Sequence, residues 1–148
     1  AFDATMEQRT APYMEWRFGE PSAEENFAAF GAFAGSEELA AYVICRVKKR
    51  GKLRVCRLAD FLSVPSPRGL PALGALLDAV LCHMKRANVD AVSCWLPSHH
   101  PARILFNRRF FLHYRRPPLL GLKGPSAPPA FFQKGLRWHF TLSDSDHV

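Results

Sequence analysis

A long helix between two strands is the feature of this sequence that most restricts its fold. Apolar residues recur at intervals of three and four across residues 70–87, which predicts one buried helical stripe. Strands are predicted on either side of it, at residues 57–64 and 90–96, and a helix that connects two strands of one sheet makes them parallel. The stripe consists of Leu70, Leu73, Leu76, Leu77, Val80, Leu81 and Met84.

The segments before this unit predict an antiparallel meander of three strands. The strands are expected at residues 26–34, 39–49 and 52–64, with turns at residues 35–38 and 50–51. The second strand is apolar on both faces, which indicates an interior strand covered on both sides. A mixed, mostly antiparallel sheet with helices on its faces is therefore the expected α/β architecture.

The N-terminal residues 1–25 form a predicted extension to a domain at residues 26–148. A short helix is expected at residues 12–18, with Pro12 in its first turn and Gly19 at its end. Tyr13, Trp16 and Arg17 are expected to face the body of the domain. Because the chain begins with Ala rather than Met, we expect it to be a piece of a longer protein.

Beyond residue 96 the pattern predicts a loop, a short helix and two closing strands. Ser98 or His100 is the expected N-cap of the helix, and Pro101 lies in its first turn. The remaining predicted segments are the helix at 102–109, a strand at 110–116, an apolar patch at 119–122, a loop or lid at 123–135 and a last strand at 136–142.

The composition indicates one globular domain. The chain has 148 residues, of which 48% are hydrophobic and 22% charged, and no apolar run approaches the roughly 20 residues that span a bilayer. None of the four cysteines forms a CxxC pair, so we interpret them as small buried side chains in a reducing, cytoplasmic compartment. These are Cys45, Cys56, Cys82 and Cys94.

Charge is divided unevenly along the chain, whose net charge is +7. Residues 1–40 contain eight carboxylates and two arginines, whereas residues 91–143 contain eight Lys or Arg and no carboxylate. A basic C-terminal third attracts an anion. The candidates are a cofactor phosphate, a nucleic acid, an anionic surface and the acidic N-terminal part of the chain itself.

The order of elements resembles that of the GNAT acetyltransferase superfamily from its second strand onward, over residues 26–142. The stretch YMEWRF at 13–18 and the closing WHFTLSDSD at 138–146 resemble recurring features in the C-terminal halves of larger two-part GNAT proteins. The resemblance implies a GNAT-like acyl-CoA acyltransferase fold. We expect the family's first strand and the two helices after it to be missing upstream of this region.

In that family a central loop with the pattern R/Q-x-x-G-x-G/A holds the pyrophosphate of coenzyme A. Its backbone amides and the following helix start bind the anion, and glycine allows the backbone to approach closely. Here Arg68 matches the first position, and Pro71 and Leu73 stand at the two glycine positions. Pro71 has no N–H, and Leu73 would add bulk where backbone should meet phosphate.

The second family pattern, N-x-x-A-x-x-x-Y-x-x-x-G-F, begins here at His99. Ala102 and the final Phe111 match it. Phe106 stands at the tyrosine that often serves as general acid, and it has no hydroxyl to donate a proton. Phe110 stands at the glycine position. The sequence therefore resembles a degenerate GNAT half.

The resemblance implies transfer of an acyl group from acetyl-CoA or another acyl-CoA to an amine of unknown identity. Asp60 or His99 would remove the amine proton, without a metal ion. The sheet would splay after Val64, and the acyl chain would lie between residues 57–64 and 90–96. The cofactor-binding candidates are Leu62, Ser63, Val64, Arg68, Gly69, Leu70, His100, Arg103 and Phe106.

Each candidate base also has a structural interpretation. Asp60 has the same strand parity as Cys56 and Leu58, so it is predicted to point inward, where a carboxylate can act as a base or pair with Arg57 or Arg17. Leu62 and Val64 also have this parity. His99 and His100 lie where ligands meet parallel strands, but both also suit helix capping, and no third metal ligand is spaced nearby.

Three other functions remain open at this point. The chain could be a non-catalytic half that pairs with an N-terminal catalytic half or with a second copy. It could be a binding module whose basic face contacts RNA, or a relative that transfers from aminoacyl-tRNA. The basic face consists of Arg103, Arg108, Arg109, Arg115 and Arg116, interleaved with phenylalanines.

Overall fold

The structure is a computed structural model that describes residues 9–19, 27–35, 37–96 and 100–109. Three helices and four strands occur in these ranges, in the order that the sequence predicts. They are α1 (Ala11–Phe18), β1 (Phe27–Ala34), β2 (Glu38–Arg50), β3 (Leu53–Ser63), α2 (Gly69–Arg86), β4 (Ala91–Cys94) and α3 (Arg103–Asn107).

The four strands form one mixed sheet in the order β1-β2-β3-β4. The first three pair antiparallel as a meander, and β4 pairs parallel to β3 from Val55↔Ala91 to Leu58↔Cys94. The predicted fold class, a mixed sheet with a strand–helix–strand crossover, is therefore confirmed. β4 is shorter than the predicted strand at 90–96.

Helix α2 covers one face of the sheet with its apolar stripe. Leu73, Leu77 and Val80 are at most 1% exposed and pack in one cluster with Val43 and Phe61 of the sheet. The stripe is thus confirmed except at two positions: Leu70 in the first turn is exposed, and Leu81 is half-buried and lies outside the core cluster. Leu73 also lies in the core rather than at the loop surface, so its side chain does not occupy the phosphate position that the motif comparison suggests.

A β-bulge in β3 changes which side chains share a face. Val43 pairs with Phe61 and Cys45 pairs with Leu58, so four residues of β3 lie opposite three residues of β2. Beyond the bulge, each side chain of β3 points to the face opposite the one that simple alternation would give it. Asp60 therefore lies on the face opposite Leu58, and the predicted shared parity is wrong, although Asp60 is buried as expected.

Helix α1 begins after Thr10, whose hydroxyl accepts a hydrogen bond from the Tyr13 N–H, and Gly19 follows its last residue. Its inward stripe includes Tyr13 and Phe18, and the Phe18 ring meets Phe27 edge-on at 5.1 Å. Trp16 is 74% exposed, so the prediction that it faces the body is wrong. The inward residues recur at three- and four-residue spacings that leave position 16 on the outer side.

The cysteines differ in burial. Cys45 and Cys56 lie in the core as predicted, but Cys82 is exposed on α2 and Cys94 is half-buried, so the interpretation as four buried side chains is wrong for these two. All four are free thiols. Burial raises the pKa of the Cys94 thiol to about 12.

Several predicted segments lie outside the described residues. They are residues 1–8, His99, the strands at 110–116 and 136–142, the patch at 119–122 and the loop at 123–135. None of the helices in the described part of the chain is long and apolar enough to cross a membrane.

Candidate functional site

The loop between β3 and α2 is built around a close approach of two backbone segments. The N–H of Val64 donates to the carbonyl of Ala40, which anchors the end of β3 to β2. A Cβ added to Gly69 would stand 2.0 Å from the carbonyl oxygen of Val64, so only glycine fits there. This contact fixes the first residue of α2 directly against the end of β3.

Few backbone N–H groups of this loop remain for a ligand. Pro65, Pro67 and Pro71 have none, while Ser66 and Gly69 donate to the carbonyls of Val64 and Ser66. Across residues 65–71 this leaves two N–H groups, those of Arg68 and Leu70, both of which are exposed residues. An anion here would depend mainly on the Arg68 guanidinium and the positive end of the α2 dipole.

A pocket of about 290 Å³ adjoins the loop. Arg68 and Glu38, which carry opposite charges, lie on its wall beside small and apolar side chains. The other lining residues are Ala34, Ala40, Val64, Ser66 and Pro67. The predicted binding residues Val64 and Arg68 are thus brought together beside the start of α2.

Among the residues that the structure describes, the end of β3 has an open edge above this loop. Its ladder with β4 ends at Leu58↔Cys94, whereas β3 continues to Ser63 beside β2. Because Val64 points its N–H toward β2, the N–H and carbonyl of Ser63 point to the opposite edge, where β4 has ended. The strands part after Leu58, six residues earlier than the splay predicted at Val64.

Asp60 is the centre of a buried polar cluster on the other face of the sheet. Arg9 donates to both carboxylate oxygens at 3.2 Å, and the Tyr42 hydroxyl donates to Oδ2 at 2.8 Å. The Arg9 and Asp60 side chains are 5% and 0% exposed. Burial, and next the charge of Asp60, raise the pKa of the Tyr42 phenol, which therefore stays a hydrogen-bond donor.

The Asp60 partners were missed from sequence. The sequence suggested Arg57 or Arg17, whereas the structure places Arg9, from the N-terminal extension, against both carboxylate oxygens. No local signal identifies a partner 51 positions away. Tyr42 was the better clue, since it is the polar residue of an otherwise apolar stretch of an interior strand.

His100 and Phe106 are buried beside Phe61. His100 Nδ1 accepts the N–H of Ala102 at 3.1 Å, and its ring meets Phe61 edge-on at 5.7 Å. The prediction of His100 as the N-cap is wrong, because Ala102 is the N-cap residue of α3 and Pro101 lies before its first turn. His100 instead bonds to the chain just before the helix. Phe106 is 1% exposed and its ring lies 5.3 Å from Phe61, so it fills the core.

Within the basic face, Arg109 forms hydrogen bonds to other residues of the domain. It binds both carboxylate oxygens of Asp78, at 2.7 and 2.6 Å, and donates to the carbonyls of Gly74 and Leu105. It joins α3 to α2, while Arg108 is exposed and Arg103 half-buried. Within the described ranges, no three His, Cys, Asp or Glu side chains cluster closely enough to hold a metal ion.

The predicted site residues therefore fall into three groups, and their assigned roles stay predictions. Ser63, Val64, Arg68, Gly69 and Leu70 lie along the open edge and the loop after it. Leu62 and Asp60 lie on the α1 side of β3. His100 and Phe106 belong to the core beside α3, whose first residue is Arg103, and His99 lies outside the described residues.

Comparisons with known proteins identify this arrangement at the level of the fold. No family model matches the sequence, and no curated protein matches it either. Among solved structures, an acetyltransferase from Trypanosoma brucei shares 16% identity at a TM-score of 0.53, with 74% of this chain and 73% of that one covered. A protein from Thermus thermophilus gives 19% identity and a TM-score of 0.52, covering 67% of this chain and 72% of that one.

A further structure, described as that of a probable acetyltransferase, shares 15% identity at a TM-score of 0.54 and covers 66% of this chain and 69% of that one. At 15–19% sequence identity, all three matches carry information about the fold alone. The described part of the chain has a GNAT-like fold, which it shares with these solved structures.

Proposed function

We propose that this chain is an acyl-CoA-binding domain of the GNAT type that transfers an acyl group to an amine. The observation that carries the proposal is the open edge of β3 leading directly into the α2 start. Ser63 presents backbone hydrogen-bonding groups on that edge, and Arg68 presents a cation five residues later. An extended ligand with amides and a terminal phosphate would match this order of groups.

The residues of the β3 edge and the loop after it fit such a ligand, but they offer fewer backbone N–H groups to the phosphate than the family pattern does. The pantetheine amides of coenzyme A would pair with the Ser63 backbone, as an added strand pairs with a sheet edge. The pyrophosphate would meet Arg68 and the N–H groups of Arg68 and Leu70. Because three prolines remove other donors, the Arg68 side chain would supply a larger share of the binding energy.

When bound, the thioester would supply the acyl group, and the protein would orient it and accept the proton of the amine. Asp60 and His99 remain the candidate bases. The contacts of Asp60 favour a structural role for it, because Arg9 and Tyr42 already engage both of its oxygens. Exclusion of water by the core residues beside the edge would protect the thioester from hydrolysis.

Calorimetry with acetyl-CoA and desulfo-CoA tests the proposal. We expect micromolar binding that Arg68→Ala weakens about 10- to 100-fold, the value of a hydrogen-bonded charge. Arg86→Ala is the matched control, because it removes an exposed arginine from the other end of the same helix. No heat at millimolar acetyl-CoA, or an equal loss in both variants, would refute it.

Ser63→Pro tests the open edge separately. Proline removes an N–H that points away from β2, so the sheet ladder should survive while binding of acetyl-CoA falls about tenfold. Unchanged binding by a folded variant would show that the ligand does not pair with this edge.

A non-catalytic half is the second candidate, and Phe106 favours it. Its ring is packed in the core and offers no proton to a leaving thiolate. In that case acetyl-CoA would bind with the same dependence on Arg68, and chromatographic measurement of free CoA would show no turnover with a panel of primary amines. Turnover above the hydrolysis rate would favour the enzyme.

A further inference from the structure

A second cationic surface lies at the end of the domain far from the α2 start. Seven of the twelve residues at positions 46–57 are Lys or Arg, and none is acidic. The β2–β3 hairpin folds this run back on itself, which places Lys49 directly opposite Arg54. Like charges facing each other across two strands are unfavourable, so the arrangement has a cost in the isolated domain.

The end of α2 adds two more cations to this surface. Arg54 Nη1 donates to the carbonyls of Ala87 and Asn88, just past the last helical residue, and the Asp90 N–H donates to the Arg54 carbonyl. These contacts bring the exposed Lys85 and Arg86 beside the hairpin. We call the resulting surface the hairpin end; it comprises Lys49, Arg50, Lys52, Leu53, Arg54, Lys85 and Arg86.

In the part of the chain that the structure describes, no carboxylate forms an ion pair with a cation of the hairpin end. Two ion pairs of the described residues, Arg9–Asp60 and Arg109–Asp78, lie elsewhere in the domain. Asp90 is the nearby acid, and its carboxylate accepts the backbone N–H of Arg54 at 2.7 Å. Burial first, then the charges of Arg50 and Arg46, lower the pKa of Arg57 on the neighbouring strand, consistent with a local positive potential.

The shape and chemistry of the hairpin end distinguish among anionic partners. Its apex is a tight turn at Gly51, where φ is +60°, followed by Leu53, whose side chain is 53% exposed. The hairpin end carries no aromatic residue on which a nucleic-acid base could stack. An apolar side chain surrounded by Lys and Arg instead fits the interface of an anionic bilayer, where leucine enters the acyl boundary and cations meet headgroups.

We propose that the hairpin end docks this domain on an anionic lipid surface. Two contributions act together: electrostatic attraction by the exposed cations and shallow insertion of Leu53. Neither suffices alone, since a single apolar side chain and a small polybasic patch each bind membranes weakly. The α2 helix of 18 residues is about 27 Å long, so the Arg68 loop would stay in the aqueous phase while the opposite end is docked.

Vesicle co-sedimentation of the full chain tests this proposal. The vesicles contain either phosphatidylcholine alone or phosphatidylcholine with about 30% phosphatidylserine, in about 50, 150 and 500 mM NaCl. We expect binding to the anionic vesicles only, weakening steeply with salt. Lys49→Ala and Lys52→Ala should each weaken it about fivefold, and Leu53→Ser should weaken it several-fold without a change in net charge.

Arg108→Glu serves as the matched control for Lys52→Glu, because both reverse one exposed charge. Circular dichroism verifies that each variant is folded. Equal loss in the two reversals would overturn the proposal, since it would mean a response to net charge alone. So would equal binding to both vesicle types, no binding at low salt, or tight binding to a 20-base-pair duplex with no vesicle binding.

Discussion

At the residue scale, the geometry of the site depends on Gly69, because only a hydrogen atom as side chain leaves room for the Val64 carbonyl. A methyl group at this position would lie 2.0 Å from the Val64 carbonyl oxygen. Both groups are attached to the backbone, so neither can move aside as a flexible side chain could. We expect Gly69→Ala to lower the free energy of unfolding by about 1–3 kcal/mol, against the usual gain from replacing a helical glycine. Urea unfolding measures this change.

Gly74→Ala is the control for this prediction. Its added methyl would lie 3.4 Å from Leu105 Cδ2, an ordinary contact, so its stability should stay within about 1 kcal/mol of the parent. If Gly69→Ala is as stable as Gly74→Ala, the close approach of β3 and α2 is wrong.

Asp60 allows a structural role to be separated from a catalytic one. Asp60→Asn leaves the buried Arg9 guanidinium without its ionic partner, and we expect a loss of about 3–5 kcal/mol in urea unfolding. Replacing both members, by Arg9→Met with Asp60→Leu, should cost less than either single change, because no buried charge remains.

The same double variant then decides the function of the carboxylate. If Asp60 is an anchor, a folded double variant keeps acetyl-CoA binding and any amine acetylation of the parent. Loss of turnover with intact binding and stability would instead identify Asp60 as the base. An additive cost of the two changes would contradict the coupling between the side chains.

At the element scale, the sequence predicts α2 within one residue at each end. One apolar stripe at helical period indicates a helix over the whole segment, and Asn88, whose φ is 55°, follows directly after its end. The meander and the parallel crossover follow for the same reason, since turn residues and strand patterns are local signals. These elements position the Arg68 loop, so this part of the candidate site was predictable.

The bulge in β3 was not predictable, and it determines where Asp60 points. A bulge adds a residue without changing the composition of a strand, and it is set by pairing with β2 rather than by nearby sequence. Any prediction that assigns side chains to the two faces by alternate positions across the bulge is therefore wrong. Arg9 shows the same limit, because its contact with Asp60 depends on how α1 packs against the finished sheet.

At the scale of the whole molecule, the two proposed anion sites lie at opposite ends of α2 and should act independently. Arg68→Ala and Lys52→Ala each remove one positive charge from an exposed residue, so they change net charge equally. We expect Arg68→Ala to weaken acetyl-CoA binding and leave vesicle binding within twofold. Lys52→Ala should do the reverse, as calorimetry and co-sedimentation of the same preparations would measure.

The independence follows from distance and screening. The ends are separated by about 27 Å, while the Debye length at physiological ionic strength is about 8 Å, so one charge hardly affects the other site. If bound acetyl-CoA does not change vesicle binding, then bound vesicles must leave the affinity for acetyl-CoA unchanged, because coupling between two ligands is reciprocal. If each substitution weakens both ligands alike, the chain attracts anions through its net charge of +7, and neither site is localised as proposed.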